Sequence, residues 1–371
     1  MKLNPRGVSG ECSFCVKAWL LFAFLAASFS GCALFKPWER ASGDRLLSYA
    51  KKEGGFAYTY GMADEWAGYK PLFEALYKKY GIQRSDIFLS SSRTVKRMDF
   101  EKDNPQVDHS VVGITFAKEA KEKGLLSCYK STEIQHLPKW AYDQENPECP
   151  TWYATYYGTL GFMVNTDVVK EIPRRWEDLQ KPIYKNMIGY LDPRESGTGV
   201  ATVLSAVYAM GGSIENVQPG IDFFKKLHSI ENIQQLQAEQ NFNEFNSGQL
   251  PILMNYDYIL LKQKAERNLR AEIVIPSDGT VRYPYVNLVV KNPPHPATQR
   301  FLMDFFLSKE GQTALTRGYV LPVRADVKIP EDIAEQLPPM DDYKSAHDVE
   351  WSHAQEAKTA IEKAWDEIAP K

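Results

Sequence analysis

Residues 188–210 read IGYLDPRESGTGVATVLSAVYAM, and their pattern indicates the fold class. Its first part, Ile188–Leu191, predicts a short buried strand, and residues 200–210 predict a helix. Residues 192–199 join the two through a turn with two glycines, which let the backbone approach another group closely. A strand, a glycine-rich turn and a helix in succession are typical of α/β layers around a parallel sheet.

The same alternation continues on both sides of this unit. Phe56–Tyr60 predicts a buried strand, and Tyr69–Tyr80 predicts a helix that ends at Gly81. Residues 86–89 predict another strand, and residues 297–316 predict one long helix. The sequence holds no internal repeat and no low-complexity linker, so a second domain has to be joined by strands or short crossings.

The N-terminus has the layout of a secretory signal. Three basic residues precede the uncharged run at 18–29, which is shorter than the ~20 apolar residues that span a membrane. Small residues and then Cys32 follow, which resembles a bacterial lipobox with Phe29 in place of the usual aliphatic residue. We therefore expect residues 1–31 to be removed and Cys32 to be lipidated. The alternative is ordinary cleavage that releases a soluble periplasmic protein.

The charge balance argues against a nucleic-acid partner. The chain of 371 residues carries 44 basic and 47 acidic residues. Binding to a phosphate backbone needs a basic excess, and the sequence has none.

The cysteines fall into two groups. Cys12 and Cys15 lie in the segment expected to be removed, so their spacing does not indicate a metal or redox motif. Cys128 and Cys149 remain in the folded part, where an oxidising envelope favours a disulfide. Because the sequence alone does not give their distance, the bridged and free forms both stay open.

A series of short segments resembles a known family. In chain order they are KKYGI (78–82), NPQVD (104–108), KGLLSCY (123–129), GFMVNTD (161–167), PRRWEDL (173–179), SGTG (196–199), NSGQLPI (246–252), NPPHP (292–296), LSKEGQ (307–312) and GYVLPVR (318–324). Together they resemble the periplasmic substrate-binding proteins of ABC importers, in the group that includes ferric-ion, polyamine, thiamine and phosphonate binders. The resemblance covers nearly all of residues 50–330.

This resemblance implies a type II periplasmic-binding-protein fold: two α/β lobes, each a mixed, mostly parallel sheet flanked by helices, with hinge strands between them. The implied division is a signal peptide at 1–31, a lipid-tethered linker at 32–45, lobe one at 46–130 and 260–300, lobe two at 131–259 and 301–340, and a C-terminal helical extension at 341–371. It also implies a monomer without cofactors, held to the membrane in the periplasm or on the outer cell surface, that delivers its ligand to an ABC permease.

Two turns are candidate anion sites, because the free N–H groups of a helix N-terminus bind carboxylate or phosphoryl oxygens. Their residues are Ser90, Ser91 and Ser92 in the first turn, and Ser196, Gly197 and Thr198 in the second. Serine is also a preferred helix N-cap, so a purely structural role is the alternative for each turn.

Tyr256 and Asp257 follow a predicted strand where ferric-ion members of the family carry two adjacent tyrosines. Asp257 stands in place of the second tyrosine, which argues against iron and favours a ligand with an amine. Ferric ion held by Tyr256 and Asp257 stays the alternative, and otherwise we expect no metal.

Further candidates are aromatic and acidic residues in the first loop and in a predicted crossing strand. They are Tyr60, Asp64, Trp66, Tyr283 and Tyr285. Aromatic rings there can stack on a ligand or cover a cation, and packing in the core is the alternative.

The sequence thus predicts a binding protein for a small polar organic solute such as a phosphonate, phosphate ester, polyamine or zwitterion. An envelope enzyme is a remote alternative, since the chain holds no nucleophile elbow, no P-loop and no H-x-x-x-H pair.

Overall fold

The computed structural model describes residues 36–237 and 242–369. Residues before Ser42 are a separate unit, of which Pro37–Arg40 forms a 3₁₀ turn. From Ser42 on, the chain forms one compact unit. The predicted signal peptide at 1–31 and the lipidation site Cys32 lie outside the described residues. Among the residues described, no helix is both long and apolar enough to cross a membrane.

The strands and helices of the compact unit alternate along most of its length. The strands are β1 (Phe56–Tyr60), β2 (Gln83–Ile87), β3 (His109–Gly113), β4 (Trp152–Asn165), β5 (Ile188–Leu191), β6 (Ile233–Gln237), β7 (Ile252–Tyr256), β8 (Ala271–Val274), β9 (Thr280–Val289), β10 (Leu321–Pro322) and β11 (Ala346–His347). The α-helices are α1 (Gly43–Lys52), α2 (Tyr69–Tyr80), α3 (Ser91–Phe100), α4 (Ala117–Glu122), α5 (Gly197–Ala209), α6 (Gln218–Ser229), α7 (Phe242–Asn246), α8 (Asp257–Arg267), α9 (Pro296–Leu307), α10 (Lys309–Thr316), α11 (Glu331–Ala334) and α12 (Ala354–Ile368).

The sheet has two parallel parts connected by two long antiparallel strands. Its order is β2-β1-β3-β9-β4-β7-β5-β6, with β8 and β10 also paired to β4, and β11 to β9. β1 runs parallel to β2 and β3, and β5 runs parallel to β6 and β7. We call β1–β3 and their helices lobe one, β5–β7 and their helices lobe two, and β4 and β9 the crossing strands.

The crossing strands change partners along their length. The first part of β4, from Trp152 to Thr159, pairs with β9, and the part from Leu160 pairs with β7 and β8. β9 in turn pairs with β3 through Tyr285 and the residues after it. The type II fold expected from the sequence is therefore present, with crossing strands between its lobes.

Several helix ends have clear local causes. α2 ends at Gly81, whose φ of 70° is left-handed, as the sequence predicts. The single helix predicted over 297–316 is instead two helices, α9 and α10. Ser308 separates them: its backbone is extended, and its side chain accepts a hydrogen bond from the N–H of Gly311 and so caps α10.

The packing of helices α8, α9 and α10 differs from the lobe boundaries that the sequence predicts. α9 packs on α1 and α10 packs on α2, which places both with lobe one. α8 packs on β4, β7 and β8. This packing favours moving 301–316 to lobe one and 260–267 to lobe two, and the remaining boundaries stay predictions.

Cys128 and Cys149 form a disulfide, with their Cα atoms 5.2 Å apart. Next to it lies a hydrophobic cluster that contains Tyr129 and Tyr153, with Met303 and Leu307 of α9.

Candidate functional site

Six aromatic side chains meet between the lobes, and we call them the tyrosine cluster. They are Trp66, Tyr156, Tyr256, Tyr258, Tyr283 and Tyr285. Trp66 follows β1 of lobe one. Tyr156 lies on crossing strand β4, and Tyr283 and Tyr285 lie on crossing strand β9. Tyr256 ends β7 of lobe two, and Tyr258 follows it in the first turn of α8. Each element contributes a ring because its strand ends or crosses at this point.

The rings are in direct contact. Tyr256 stacks on Tyr258 with ring centroids 5.6 Å apart, and Tyr156 stacks on Tyr285 at 5.3 Å. Trp66 packs edge-on against Tyr258 and against Tyr285, each at 5.8 Å. The ring of Trp66 therefore connects lobe one to a side chain of lobe two.

The hydroxyl groups of the cluster are unevenly satisfied. The indole N–H of Trp66 donates to the Tyr156 hydroxyl at 2.8 Å, and the Tyr283 hydroxyl shares a 2.6 Å hydrogen bond with Thr115 Oγ1. The Tyr258 hydroxyl is buried and has no hydrogen-bond partner among the described residues. The Tyr256 hydroxyl is also buried and makes no hydrogen bond of ordinary geometry there, although it interacts with the Tyr285 hydroxyl. Leaving a buried hydroxyl without a hydrogen bond costs about 1–3 kcal/mol, so these two neighbouring groups are candidate donors to a ligand.

Burial also fixes the protonation state of these tyrosines. It raises the pKa of Tyr256 and of Tyr258 well above the ordinary range, with neighbouring tyrosines adding to the effect. Burial raises the pKa of Tyr285 to about 12, although Thr198 and Tyr256 act in the opposite direction. At neutral pH all three are therefore neutral O–H groups that can donate to an anionic oxygen.

The N-terminus of α5 reaches this cluster. The Ser196 side chain accepts a hydrogen bond from the Thr198 N–H at 3.2 Å, as an N-cap does. A Cβ at Gly197 would lie 3.3 Å from the Phe116 ring and 3.7 Å from the Tyr283 hydroxyl, so the backbone there is close to both. The first turn of α5 holds no acidic residue that would compete with a bound anion.

The Ser90–92 turn has a different setting. α3 begins at Ser91, and Ser90 is its N-cap but makes no side-chain cap hydrogen bond. The Ser91 hydroxyl accepts a hydrogen bond from the Gly113 N–H at 3.0 Å, and Ser92 is half-buried. No hydrogen bond or ring contact described for these three serines reaches the tyrosine cluster.

Asp257 makes its hydrogen bonds to backbone groups rather than to the cluster hydroxyls. Its Oδ1 accepts hydrogen bonds from the N–H groups of Thr159 and Tyr258, at 3.0 and 2.8 Å. Burial raises the pKa of Asp257 to about 6, and the backbone donors and Tyr343 only partly offset this. Its charge acts on Tyr157, on Tyr343 and on the cluster residue Tyr258. The carboxylate therefore begins α8 and faces the C-terminal segment.

Two other candidates pack within lobe one. The Tyr60 hydroxyl donates to Glu101 at 2.8 Å, and the Arg97 guanidinium lies over its ring. Asp64 pairs with Arg84 and is largely exposed. Neither contacts the tyrosine cluster in the described hydrogen bonds and ring pairs.

The structure adds residues that the sequence did not single out. Tyr156 and Tyr258 complete the cluster, and Thr115 and Phe116 border it from lobe one. Within residues 36–237 and 242–369, no three His, Cys, Asp or Glu side chains come close enough together to hold a metal ion.

Comparison with known proteins connects this geometry to a family. Residues 107–357 match the family described as bacterial extracellular solute-binding protein. An uncharacterized protein of Haemophilus influenzae is 30% identical over 250 residues, which are 64% of this chain and 69% of the relative. A proposed 2-aminoethylphosphonate-binding periplasmic protein of Salmonella typhi is 26% identical over 315 residues, covering 81% and 83% of the two chains.

Solved structures share the fold. The periplasmic binding protein AfuA from Actinobacillus pleuropneumoniae, with fructose-6-phosphate bound, superposes with a TM-score of 0.67 at 24% identity, over 84% of this chain and 97% of that one. Apo ferric ion-binding protein A from Pasteurella haemolytica superposes with a TM-score of 0.69 at 15% identity, over 85% and 98%. At these identities the likeness concerns the two-lobed fold alone.

Proposed function

The chain belongs to the bacterial extracellular solute-binding proteins, which serve ABC importers, and from this premise we propose that its ligand is a small organic phosphonate or phosphate ester held at the tyrosine cluster. The observation that carries the proposal is the pair of buried, incompletely bonded hydroxyls of Tyr256 and Tyr258, in a cluster whose members Tyr283 and Tyr285 lie next to the N-terminus of α5. Neutral hydroxyls and helix N–H groups are donors, and a phosphoryl group offers several acceptor oxygens.

The donor set favours an anion over a polyamine. A polyamine needs carboxylates, and the Asp257 carboxylate already accepts hydrogen bonds from the backbone N–H groups of Thr159 and Tyr258. An amine elsewhere on a zwitterionic ligand would still find the faces of Trp66 and Tyr258. A ligand such as 2-aminoethylphosphonate, which the Salmonella relative is proposed to bind, would combine both features.

Ferric ion fits the site less well. Iron(III) binding to tyrosine requires loss of the phenol proton, and the burial that raises the pKa of Tyr256 and Tyr258 opposes this loss. The Asp257 carboxylate, the other oxygen ligand expected from the sequence, is bound to backbone N–H groups instead.

Capture requires the lobes to move. Because Trp66 touches Tyr258 and Tyr285 directly, a ligand enters between these rings only when they separate. Rotation about the crossing strands β4 and β9 separates them, and a ligand that contacts both walls favours the closed form.

A calorimetric titration tests the ligand class. Protein starting at Lys36 is titrated with 2-aminoethylphosphonate, fructose 6-phosphate, putrescine and ferric citrate. We expect one of the first two to bind and Tyr256→Phe to weaken it about ten-fold, the loss of one hydrogen bond to a charged group. Tyr129→Phe, a buried tyrosine of the disulfide region, is the matched control and should bind like the wild type.

Binding of putrescine with both phosphorus compounds inert would refute the proposal, and so would a visible tyrosinate–iron(III) colour. Mass spectrometry of each ligand after incubation checks that the protein binds without turnover, as we also propose.

We further propose that residues 1–31 are a signal peptide, that lipidated Cys32 holds the protein to the membrane on the periplasmic or outer side, and that the protein acts as a monomer. Its periplasmic relatives support export. Cys32→Ser should move the protein from the membrane fraction to the soluble envelope fraction, and an unchanged distribution would contradict the lipid anchor.

A further inference from the structure

Residues 346–368 run across the boundary between the lobes, and we call this segment the C-terminal strap. It consists of β11, a 3₁₀ turn at Trp351–His353 and α12. β11 adds to the end of crossing strand β9 by pairing with Thr280 and Val281. The ion pair between Asp348 and Arg282, at 2.6 Å, holds the segment to the same strand.

The far end of the strap is anchored in lobe two. Trp365 is fully buried in the lobe-two core, and its indole N–H donates to the Tyr190 hydroxyl at 2.9 Å. Arg194 donates to the Trp365 carbonyl oxygen at 3.2 Å. α12 also packs on α5 and α6, so the strap moves with lobe two when the lobes separate.

The near face of the same helix contacts lobe one. The Lys358 ammonium lies 4.4 Å from the centroid of the Phe116 ring, and Lys358 is only 8% exposed. Glu356 forms an ion pair with Lys118 of α4 at 2.8 Å. Opening of the cleft breaks these contacts, whereas the contacts with lobe two remain.

The strap also reaches the tyrosine cluster. The Trp351 ring packs edge-on against Tyr283, with centroids 5.2 Å apart and ring planes at 77°. Tyr283 is the cluster member that bonds Thr115 of lobe one. Phe116, which Lys358 covers, is the ring that faces Gly197 at the N-terminus of α5.

We propose that the C-terminal strap is an interlobe clasp that favours the closed form, and that Trp351 is a positioning residue that orients Tyr283 for the ligand. The clasp adds a conformational element to the proposed function, and it depends on that proposal only for the identity of the ligand. The physical reason is that the strap's contacts with lobe one exist only when the lobes are closed, so each one shifts the population towards the closed form. The desolvated cation–π contact of Lys358 contributes more to this shift than the exposed pair of Glu356.

The test measures the distance between the lobes without ligand. Spin labels on Asp103→Cys in lobe one and Lys225→Cys in lobe two report this distance in protein that starts at Lys36. We compare the wild type with Lys358→Met, Trp351→Ala and Trp351→Phe. Lys363→Met changes an exposed lysine of the same helix and is the matched control.

We expect Lys358→Met and Trp351→Ala to lengthen the distance, and Lys363→Met to leave it unchanged. Trp351→Phe keeps a ring against Tyr283 and should restore most of the closed population. If the closed fraction falls to about a tenth, the measured affinity for the bound phosphonate or phosphate ester weakens about ten-fold. An unchanged distance in folded Lys358→Met and Trp351→Ala proteins overturns the proposal.

A charge exchange provides a test that does not disturb the core. Lys118→Glu and Glu356→Lys each lengthen the distance, and the double variant restores it, because both side chains lie at the surface. Equal distances in all four proteins overturn the role of this pair in the clasp. The two proposals can fail separately. If the strap variants lengthen the distance but the protein binds no phosphorus compound, the clasp is supported and only the proposed ligand is refuted.

Discussion

Buried tyrosines in two regions of the molecule differ in how completely their hydroxyl groups are hydrogen-bonded. Beside the disulfide, the Tyr129 hydroxyl donates to Asp304, and the Tyr153 hydroxyl donates to the Tyr129 carbonyl oxygen and accepts from the Ser131 N–H. We call this region the disulfide network. In the tyrosine cluster, the Tyr256 and Tyr258 hydroxyls make no hydrogen bond of ordinary geometry among the described residues.

A buried aspartate lies next to each region, and the two aspartates differ in the same way. Asp304 accepts from Tyr129, from Ser131 and from the Thr132 N–H. Asp257 uses one oxygen for two backbone donors, while its Oδ2 makes no hydrogen bond of ordinary geometry. Buried polar groups with complete hydrogen bonding stabilise a fold, and those without it mark a place where function sets the sequence. Residue type alone does not tell the two apart.

The largest effect should come from cutting the disulfide. Cys128→Ser with Cys149→Ser opens a loop of 21 residues, and loop entropy predicts a loss of about 3 kcal/mol in the free energy of unfolding. Urea denaturation measures this loss. Because the cluster does not depend on the disulfide network, ligand affinity at 20 °C below the unfolding midpoint should stay within about two-fold. A parallel loss of affinity would show that the two regions are coupled.

Asp257→Asn should give the next largest effect, and at neutral pH it should raise the free energy of unfolding instead of lowering it. Burial raises the pKa of Asp257 to about 6 from its ordinary 3.8. Between these values the folded chain binds more protons than the unfolded chain, so this group's contribution to stability falls as the pH rises and levels off above about 6. The amide removes this loss while its oxygen still accepts from Thr159 and Tyr258. We expect the variant to be about 2–3 kcal/mol more stable at pH 7.5 and no more stable at pH 4.

Urea denaturation at the two pH values makes this measurement. Burial lowers the pKa of His109 to about 4, so its contribution to stability rises with pH, but it does so equally in both proteins and cancels in the difference. A stability difference independent of pH would show that Asp257 is not the titrating group.

Much of the fold follows from local sequence pattern. The strand Ile188–Leu191 is found where it is predicted, and the SGTG turn opens α5 with Ser196 as its cap. Trp66, Tyr283 and Tyr285 were predicted site residues and do meet at the cluster. These features depend on turn chemistry and on strand ends, which neighbouring residues determine.

The remaining features depend on contacts between distant residues. Tyr60 turns to Glu101, 41 residues further along the chain, and no local signal predicts that partner. A register shift in β4 between Ala154 and Tyr156 breaks its period of two. Alternation alone therefore could not tell that Tyr156, rather than Tyr157, faces the cluster.

Exchanging a tyrosine for phenylalanine in each region should change the free energy of unfolding differently, by about 1 kcal/mol. Tyr129→Phe leaves Asp304 with one donor fewer and should lower the free energy of unfolding by about 1–2 kcal/mol. Tyr256→Phe removes a hydroxyl that makes no hydrogen bond of ordinary geometry, so it should be neutral or raise stability by up to about 1 kcal/mol. Thermal and urea denaturation of both variants give the comparison. Equal losses in the two proteins would show that the Tyr256 hydroxyl has a structural partner.

The smallest effects should come from replacing the two serine N-caps with alanine. These variants compare the N-termini of α3 and α5. Ser196 caps α5 through its side chain, so Ser196→Ala should cost about 1 kcal/mol of stability and, with Thr198→Ala added, should weaken ligand binding. Ser90 makes no cap hydrogen bond at α3, so Ser90→Ala should change neither quantity measurably. Calorimetry and urea denaturation of the same samples separate the two effects. The opposite result would place the anion at the lobe-one turn: Ser90→Ala would weaken binding, and Ser196→Ala with Thr198→Ala would not. The Ser90 hydroxyl makes no cap hydrogen bond, so its removal can weaken binding only if it contacts the ligand.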